Sequence, residues 1–136
     1  MRSHLDAIKD ELAPLDYTTH LWAAPEVSGQ YLILSSPAWD GVLEESVCGI
    51  DESLDTEVRI KAVAGTPAGV EVMLRRVRGL LSPARDWQPL AVPGRSAQTR
   101  FARSEFIGVD TSTKVTGTDR HPGVGVDSYR LVSEPA

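Results

Sequence analysis

The chain has 136 residues, of which 41% are hydrophobic and 24% charged, a composition typical of one folded domain of ordinary size. A single cysteine, Cys48, excludes an internal disulfide and a four-cysteine zinc site, and fits a reducing compartment. No apolar run approaches the roughly 20 residues of a membrane-spanning helix, and the polar N-terminus does not resemble a signal peptide. We therefore expect one soluble domain over residues 1–136.

The formal net charge of −5 is unevenly distributed along the chain. Residues 1–57 hold twelve acids and two bases, whereas residues 58–104 hold nine bases and two acids. Residues 105–136 hold five acids and three bases. Two interpretations remain open: folding mixes these segments into a patchy surface, or the molecule has an acidic and a basic face suited to head-to-tail association of copies.

The first predicted element is a helix over residues 3–13. Leu5, Ile8 and Leu12 recur at helical spacing and form one narrow apolar face. Pro14 then closes the helix. Because so short a helix is not stable alone, we expect it to dock on the rest of the domain.

Three extended segments are predicted next. Residues 16–25 favour extended structure, and residues 30–35 read as a central strand because their apolar residues are continuous. Residues 45–51 alternate as a further strand. Three strands before the main helix indicate hairpins and an antiparallel sheet.

Residues 56–83 form the unit around which the chain is organised. A strand over residues 56–64 alternates apolar and charged side chains, so one face is expected to be buried. Thr66 is placed to cap the following helix, Pro67 fits its first turn, and Pro83 ends it. The apolar stripe of this helix consists of Val70, Met73, Leu74, Val77, Leu80 and Leu81.

The last third of the chain predicts three more strands and a long loop. A short strand is expected over residues 87–92, and a longer one over residues 101–110 with Phe106 opposite Phe101, Ile107 and Val109. Residues 111–127 read as a polar loop that is either functional or flexible, and residues 128–133 as a final strand. The predicted fold is α+β: a mostly antiparallel sheet packed against one main helix, with a short N-terminal helix.

The outward face of the main helix predicts a protein interface. Val72 and Gly79 form a small apolar notch beside Arg75 and Arg76, and arginine next to apolar surface is typical of interfaces. The alternative is one exposed valine, which is normal for any surface. The predicted interface residues are Val72, Arg75, Arg76 and Gly79 on the helix, with Arg120 and His121 in the loop.

No catalytic motif, cofactor motif or metal-ligand spacing appears in the sequence. The three histidines lie far apart, and Gly123-Val124-Gly125 leads into a strand instead of opening a helix. An alternative class is a small enzyme or ligand-binding domain whose site is assembled from scattered residues. The candidates for that site are His20, Asp119, His121 and Asp127.

A second alternative is a DNA-binding surface made of arginines. The cluster comprises Arg75, Arg76, Arg78, Arg85, Arg95, Arg100 and Arg103. The sequence pI is near 5.1, whereas DNA-binding domains usually carry a strongly basic balance. A solvated or partner-facing surface is therefore favoured.

In layout and length, the chain resembles the tail terminator proteins of long-tailed bacteriophages. The resemblance covers most of the chain and rests on three stretches: MRSHLDAIKDELAPL, TEVRIKAVAGTPAGVEVMLRRVRGLL and HPGVGVDSYRLV. It implies a virion subunit, made in the cytoplasm of a bacterial host, that has no catalytic residues. Head-closure and tail-tube proteins of the same particles are close to it in role.

The resemblance also implies particular partners. Six copies would form a ring that caps the tail tube protein and joins it to the head through the head-closure protein of the neck. DNA would pass through the lumen without specific binding. The acidic segment of one subunit would then meet the basic segment of the next, which favours a closed ring.

Overall fold

The computed structural model of the chain describes residues 2–23, 29–36, 53–112, 114–115 and 120–135. Within these residues the fold is α+β, as predicted, with two helices, α1 (Arg2–Glu11) and α2 (Pro67–Leu81). The six strands are β1 (Thr18–Leu21), β2 (Tyr31–Ser35), β3 (Leu54–Ala64), β4 (Gln88–Leu90), β5 (Arg95–Val109) and β6 (Gly123–Pro135). The strand predicted over residues 45–51, with Cys48, lies outside this part of the chain.

One sheet contains all six strands, in the order β1-β2-β3-β6-β5-β4. Four of its five pairings are antiparallel, and the central pair joins β3 to β6 along the whole of β3, from Leu54 to Ala64. The exception is β1, which pairs with β2 in parallel. The prediction of hairpins is therefore wrong for the first two strands, because Thr18 pairs with Tyr31 and Leu21 with Leu34, so the two strands run in the same direction.

Both helices pack on the same face of this sheet, which we call the helix face. The predicted stripe of α2 is buried except for Leu80, which is only partly covered, and Leu5, Ile8 and Leu12 of α1 are buried as predicted. The opposite face of the sheet, which we call the outer face, carries no helix among the described residues. This one-sided cover explains why β2 alternates: Leu32 and Leu34 are buried. The continuous apolar run of this strand predicts cover on both faces, whereas Tyr31, Ile33 and Ser35, on the outer face, are only partly buried.

Strands β5 and β6 are longer than predicted. β5 begins at Arg95, earlier than the expected 101, and β6 begins at Gly123. Residues 123–127, expected to belong to the 111–127 loop, therefore form regular strand, because they pair with β3 on one side and β5 on the other. These partners lie far away in sequence, so the polar composition of the segment did not reveal them.

Two irregularities interrupt the pairing of β5 with β6, one between Phe101 and Arg103 and one between Ser104 and Phe106. Each inserts one extra residue and so turns the following side chains to the other face. The two shifts cancel, so the prediction that Ile107 and Val109 share the face of Phe101, opposite Phe106, is confirmed.

Helix α2 lies unusually close to β6 because two positions of that strand lack a side chain. A Cβ at Gly125 would lie 2.6 Å from Val70 Cγ1 on the helix. A Cβ at Gly123 would overlap the backbone of Thr66 and lie 2.5 Å from the nitrogen of Pro67. Thr66 is also the predicted cap, and its Oγ1 accepts the N–H of Gly69 at 3.1 Å. The start of α2 is thus fixed by its Thr66 cap and by the two glycines of β6 on which it packs.

We predict that Gly123→Ala lowers the free energy of unfolding by about 1–3 kcal/mol, because the added methyl group meets backbone that cannot move aside without shifting the helix. Gly79→Ala is the matched control: Gly79 lies in α2, and a methyl group added there would meet no atom within 4 Å, so alanine should add about 0.5–1 kcal/mol of stability. Urea denaturation followed by circular dichroism measures both. Equal stabilities of parent and Gly123→Ala would contradict the close packing of α2 on β6.

Candidate functional site

Exposed apolar side chains concentrate at the end of β5. Among the described residues, four large hydrophobic side chains are exposed, and three of them are Phe106 (50%), Ile107 (40%) and Val109 (44%). The fourth is Val72 on α2 (43%). We call residues 106–109 the β5 tip. Single exposed apolar residues are ordinary, but three within four residues form a patch of the kind found at binding surfaces.

The β5 tip is exposed because its neighbouring strand is short. β4 pairs only with Ala97, Gln98 and Thr99, so beyond them the outer edge of β5 has no strand partner among the described residues. Backbone N–H and C=O groups along such an edge are available to another strand. The β5 tip therefore combines an open edge with apolar side chains on both faces.

The outer face of the sheet continues this apolar surface inward. An open depression of about 470 Å³ is lined by Phe106 and Val109 of the tip, by Val124 and Val126 of β6, and by Lys61 and Asp110 at its rim. Asp110 N–H donates to Pro122 O at 2.9 Å, which holds the two ends of the β5–β6 connection side by side. Arg120 (exposed) and His121 (half-buried) lie in that connection, at the same end of the molecule as the tip.

The predicted helix residues are exposed, as the pattern required. Val72, Arg75, Arg76 and Gly79 all lie on the side of α2 that faces away from the sheet. Arg76 Nη1 donates to the Tyr17 hydroxyl at 3.1 Å, so part of this patch is engaged within the chain. Arg120 and His121 belong to a different element. A role of these residues in an interface stays a prediction.

Arginine–carboxylate pairs cover the middle of the outer face. Arg103 donates to both carboxylate oxygens of Glu57, at 2.7 and 3.0 Å, and Arg130 does the same to Asp55, at 3.0 and 2.6 Å. The hydrogen bonds from these arginines hold the pKa values of Glu57 and Asp55 below their usual range. Two acids of the segment 1–57 are therefore paired within the chain, so folding mixes part of the charge division seen in the sequence.

Next to these pairs lies an aromatic and basic cluster, which we call the Trp87 platform. The guanidinium carbon of Arg130 lies 5.8 Å from the centre of the Trp87 ring, and that of Arg100 lies 6.0 Å from it. Arg100 Nε donates to the backbone oxygen of Arg85 at 3.3 Å. No carboxylate lies within ion-pair distance of Arg100 among the described residues.

A buried ion pair connects α2 to the sheet. Arg78 Nε donates to Asp127 Oδ2 at 2.7 Å, and Arg78 Nη2 to Oδ1 at 3.3 Å; the Asp127 side chain has no exposed surface. The guanidinium of Arg78 also lies 4.6 Å above the ring of Phe101. The hydrogen bond to Asp127 raises the pKa of Arg78 above its already high value. Both residues are therefore engaged in holding the fold together.

This pairing bears on both alternatives predicted from sequence. Of the arginine cluster proposed to bind DNA, Arg78 pairs with Asp127, Arg103 with Glu57, and Arg95 hydrogen-bonds the hydroxyl of Ser133. The structure also separates two of the residues proposed for a ligand site. His20 lies on β1 at the sheet edge, on the outer face, whereas Asp127 is on β6 under α2.

The described residues contain no group of three metal-ligating side chains. Among them, no helix has the length and apolarity needed to cross a membrane. Comparison with known proteins finds neither a matching family model nor a matching curated protein.

Neither the β5 tip nor the Trp87 platform was predicted as a surface. Phe106, Ile107 and Val109 were predicted only to lie in a strand, with Phe106 on the side opposite the other two. A usable signal was present: apolar residues occur on both faces of this segment, while the neighbouring strand lies between Pro83 and Pro93 and must be short.

We predict that Arg78→Met destabilises the protein by roughly 3–5 kcal/mol, because it leaves the carboxylate of Asp127 buried without its cation. Arg75→Met is the matched control on the exposed face of the same helix and should change stability by no more than about 0.5 kcal/mol. Chemical denaturation at neutral pH compares the two variants. If both behave alike, the ion pair does not anchor α2.

A second prediction concerns alkaline pH. Burial, with the nearby charge of Asp127, raises the pKa of Tyr129 far above its ordinary value. The unfolded chain loses this proton near pH 10, whereas the folded protein keeps it. The contribution of Tyr129 to the free energy of unfolding is therefore fully present below about pH 10. Above that pH it falls by up to about 1.4 kcal/mol per pH unit.

Tyr129→Phe should remove this contribution while keeping the ring. Denaturation midpoints of parent and variant are measured at neutral pH and between about pH 10 and 11, and they give the loss of stability of each protein at alkaline pH. The parent is expected to lose more stability than the variant over that interval. Parallel losses would show that the Tyr129 hydroxyl is not held in its neutral form.

Proposed function

We propose that this chain is a structural subunit that assembles with copies of itself through the β5 tip. We further propose that the assembly is a ring at a phage head-to-tail junction, acting as a tail terminator. The observation that carries the proposal is the concentration of exposed apolar side chains on an open strand edge, at Phe106, Ile107 and Val109. The virion role rests on the resemblance of the chain to tail terminators.

An edge of this kind favours association. Natural sheets usually protect their edges with charges, prolines, bulges or short strands. β5 follows that rule up to Glu105, because this part carries Arg100, Arg103, Glu105 and two register shifts, but residues 106–109 carry no such protection. A partner that covers the tip would remove three apolar side chains from water, and its backbone would satisfy the open N–H and C=O groups.

The fold favours a head-to-tail contact that can close into a ring. The two ends of the sheet differ: one is β1, and the other is β4 with the uncovered part of β5. If the tip of one copy meets a different surface of the next, the contact is heterologous, and repeated contacts form a ring when the rotation closes. A hexameric ring would cap the tail tube and face the head-closure protein, with DNA in its lumen.

Val109→Asp tests the proposal, with Val72→Asp as the control, because the two valines are equally exposed, at 44% and 43%. A charge on the tip should convert the ring to monomers, since the carboxylate would be buried at the seam. The same change on α2 should leave the ring intact. Light scattering coupled to size-exclusion chromatography gives the mass, electron microscopy shows the ring, and circular dichroism confirms that both variants fold.

Two results would overturn the proposal. One is a parent chain that stays monomeric at high concentration and also in the presence of tail tubes. The other is a ring that tolerates Val109→Asp but dissociates with Val72→Asp, which would move the seam to α2.

A further inference from the structure

We infer that the Trp87 platform, formed by Trp87, Arg100 and Arg130, receives the acidic side of α1 from a second copy of this chain. The inference rests on the proposed function and adds to it the two surfaces that meet by charge. Trp and Arg are the residue types most enriched among those that dominate binding energy at protein interfaces. Here they lie together on a sheet face that no described element covers.

The platform carries positive charge that no carboxylate among the described residues fully neutralises. Arg130 shares its charge with Asp55, but Arg100 donates only to a backbone oxygen. The half-buried indole of Trp87 provides apolar area beside the two guanidinium groups. This combination suits a carboxylate-bearing surface, because arginine binds carboxylates in a fixed planar geometry and the aromatic ring contributes contact area.

A matching acidic surface is present on the same molecule. Leu5, Ile8 and Leu12 turn one side of α1 toward the sheet, and Asp10 therefore points outward. Asp16 follows just beyond α1 and is also exposed. Among the described residues, neither aspartate has an ion-pair partner. Lys9 lies in the same turn and is also exposed, but Asp10, Glu11 and Asp16 outnumber it, so the net charge at the end of α1 is negative and opposite in sign to that of the platform.

Within one copy these two surfaces do not meet. α1 packs on the helix face of the sheet, whereas Arg100 and Arg130 face each other across β5 and β6 on the outer face. A contact between them therefore joins different surfaces of two copies and is heterologous, as a ring requires. Arg100 and the β5 tip belong to the same strand, so a neighbour lying along β5 meets both.

A charge exchange tests the inference on the full chain. Arg100→Glu places a carboxylate against Asp10 of the neighbour and should weaken subunit association at least about tenfold. Asp10→Arg alone should weaken it similarly, and the double variant should return to within about threefold of the parent. Glu71→Arg, a charge reversal at an exposed position of α2 outside the predicted interface, should have no effect. Sedimentation velocity over a concentration series measures all four at two salt concentrations.

The outcomes separate this inference from the proposed function. If the parent forms a ring that Val109→Asp dissociates, but Asp10→Arg does not rescue Arg100→Glu, this pairing is wrong and the proposed function stands. If the parent never associates, both are wrong. Binding of a fluorescent single-stranded oligonucleotide that Arg100→Glu abolishes, with association unchanged, would assign the platform to nucleic acid and overturn the inference.

Discussion

The buried carboxylate of Asp127 is the constraint on which the rest of the structure depends. A charge with no access to water is tolerated only beside a cation, and Arg78 supplies that cation from α2. The pair therefore fixes the position of the helix along β6. Two further features hold the helix in the same position. Gly123 and Gly125 allow the first turns of α2 to pack close to β6, and Thr99 Oγ1 donates to Leu81 O in the last turn.

The position of α2 also decides which part of the sheet remains uncovered. The helix lies over the central strands and ends near Thr99, where β4 joins the outer edge of β5. β5 continues past this point, so residues 106–109 extend beyond β4 and keep an open edge. The candidate assembly surface is thus a consequence of strand lengths and helix placement, and not of a special motif.

Charge is distributed according to the same geometry. Arginines that appear as one basic cluster in the sequence separate in the fold: Arg78 turns inward to Asp127, and Arg103 crosses the outer face to Glu57. Among the described residues, the charges without an ion-pair partner include Arg100 on the outer face and Asp10 on α1, and these two are available for a neighbour. Folding therefore pairs some of the acids and bases of the two oppositely charged segments with each other. Fewer charged residues are left to contact a neighbouring subunit.

The sequence by itself determined the local elements of this protein. Helix α2, its Thr66 cap, its buried stripe and strand β3 all follow from residue spacing and capping, because these depend on neighbours a few positions away. The parallel pairing of β1 with β2, the inclusion of residues 123–127 in β6 and the bulges of β5 were decided only by the tertiary structure. So was the exposure of Phe106, Ile107 and Val109, because whether an apolar side chain is buried depends on which distant strand or helix reaches it.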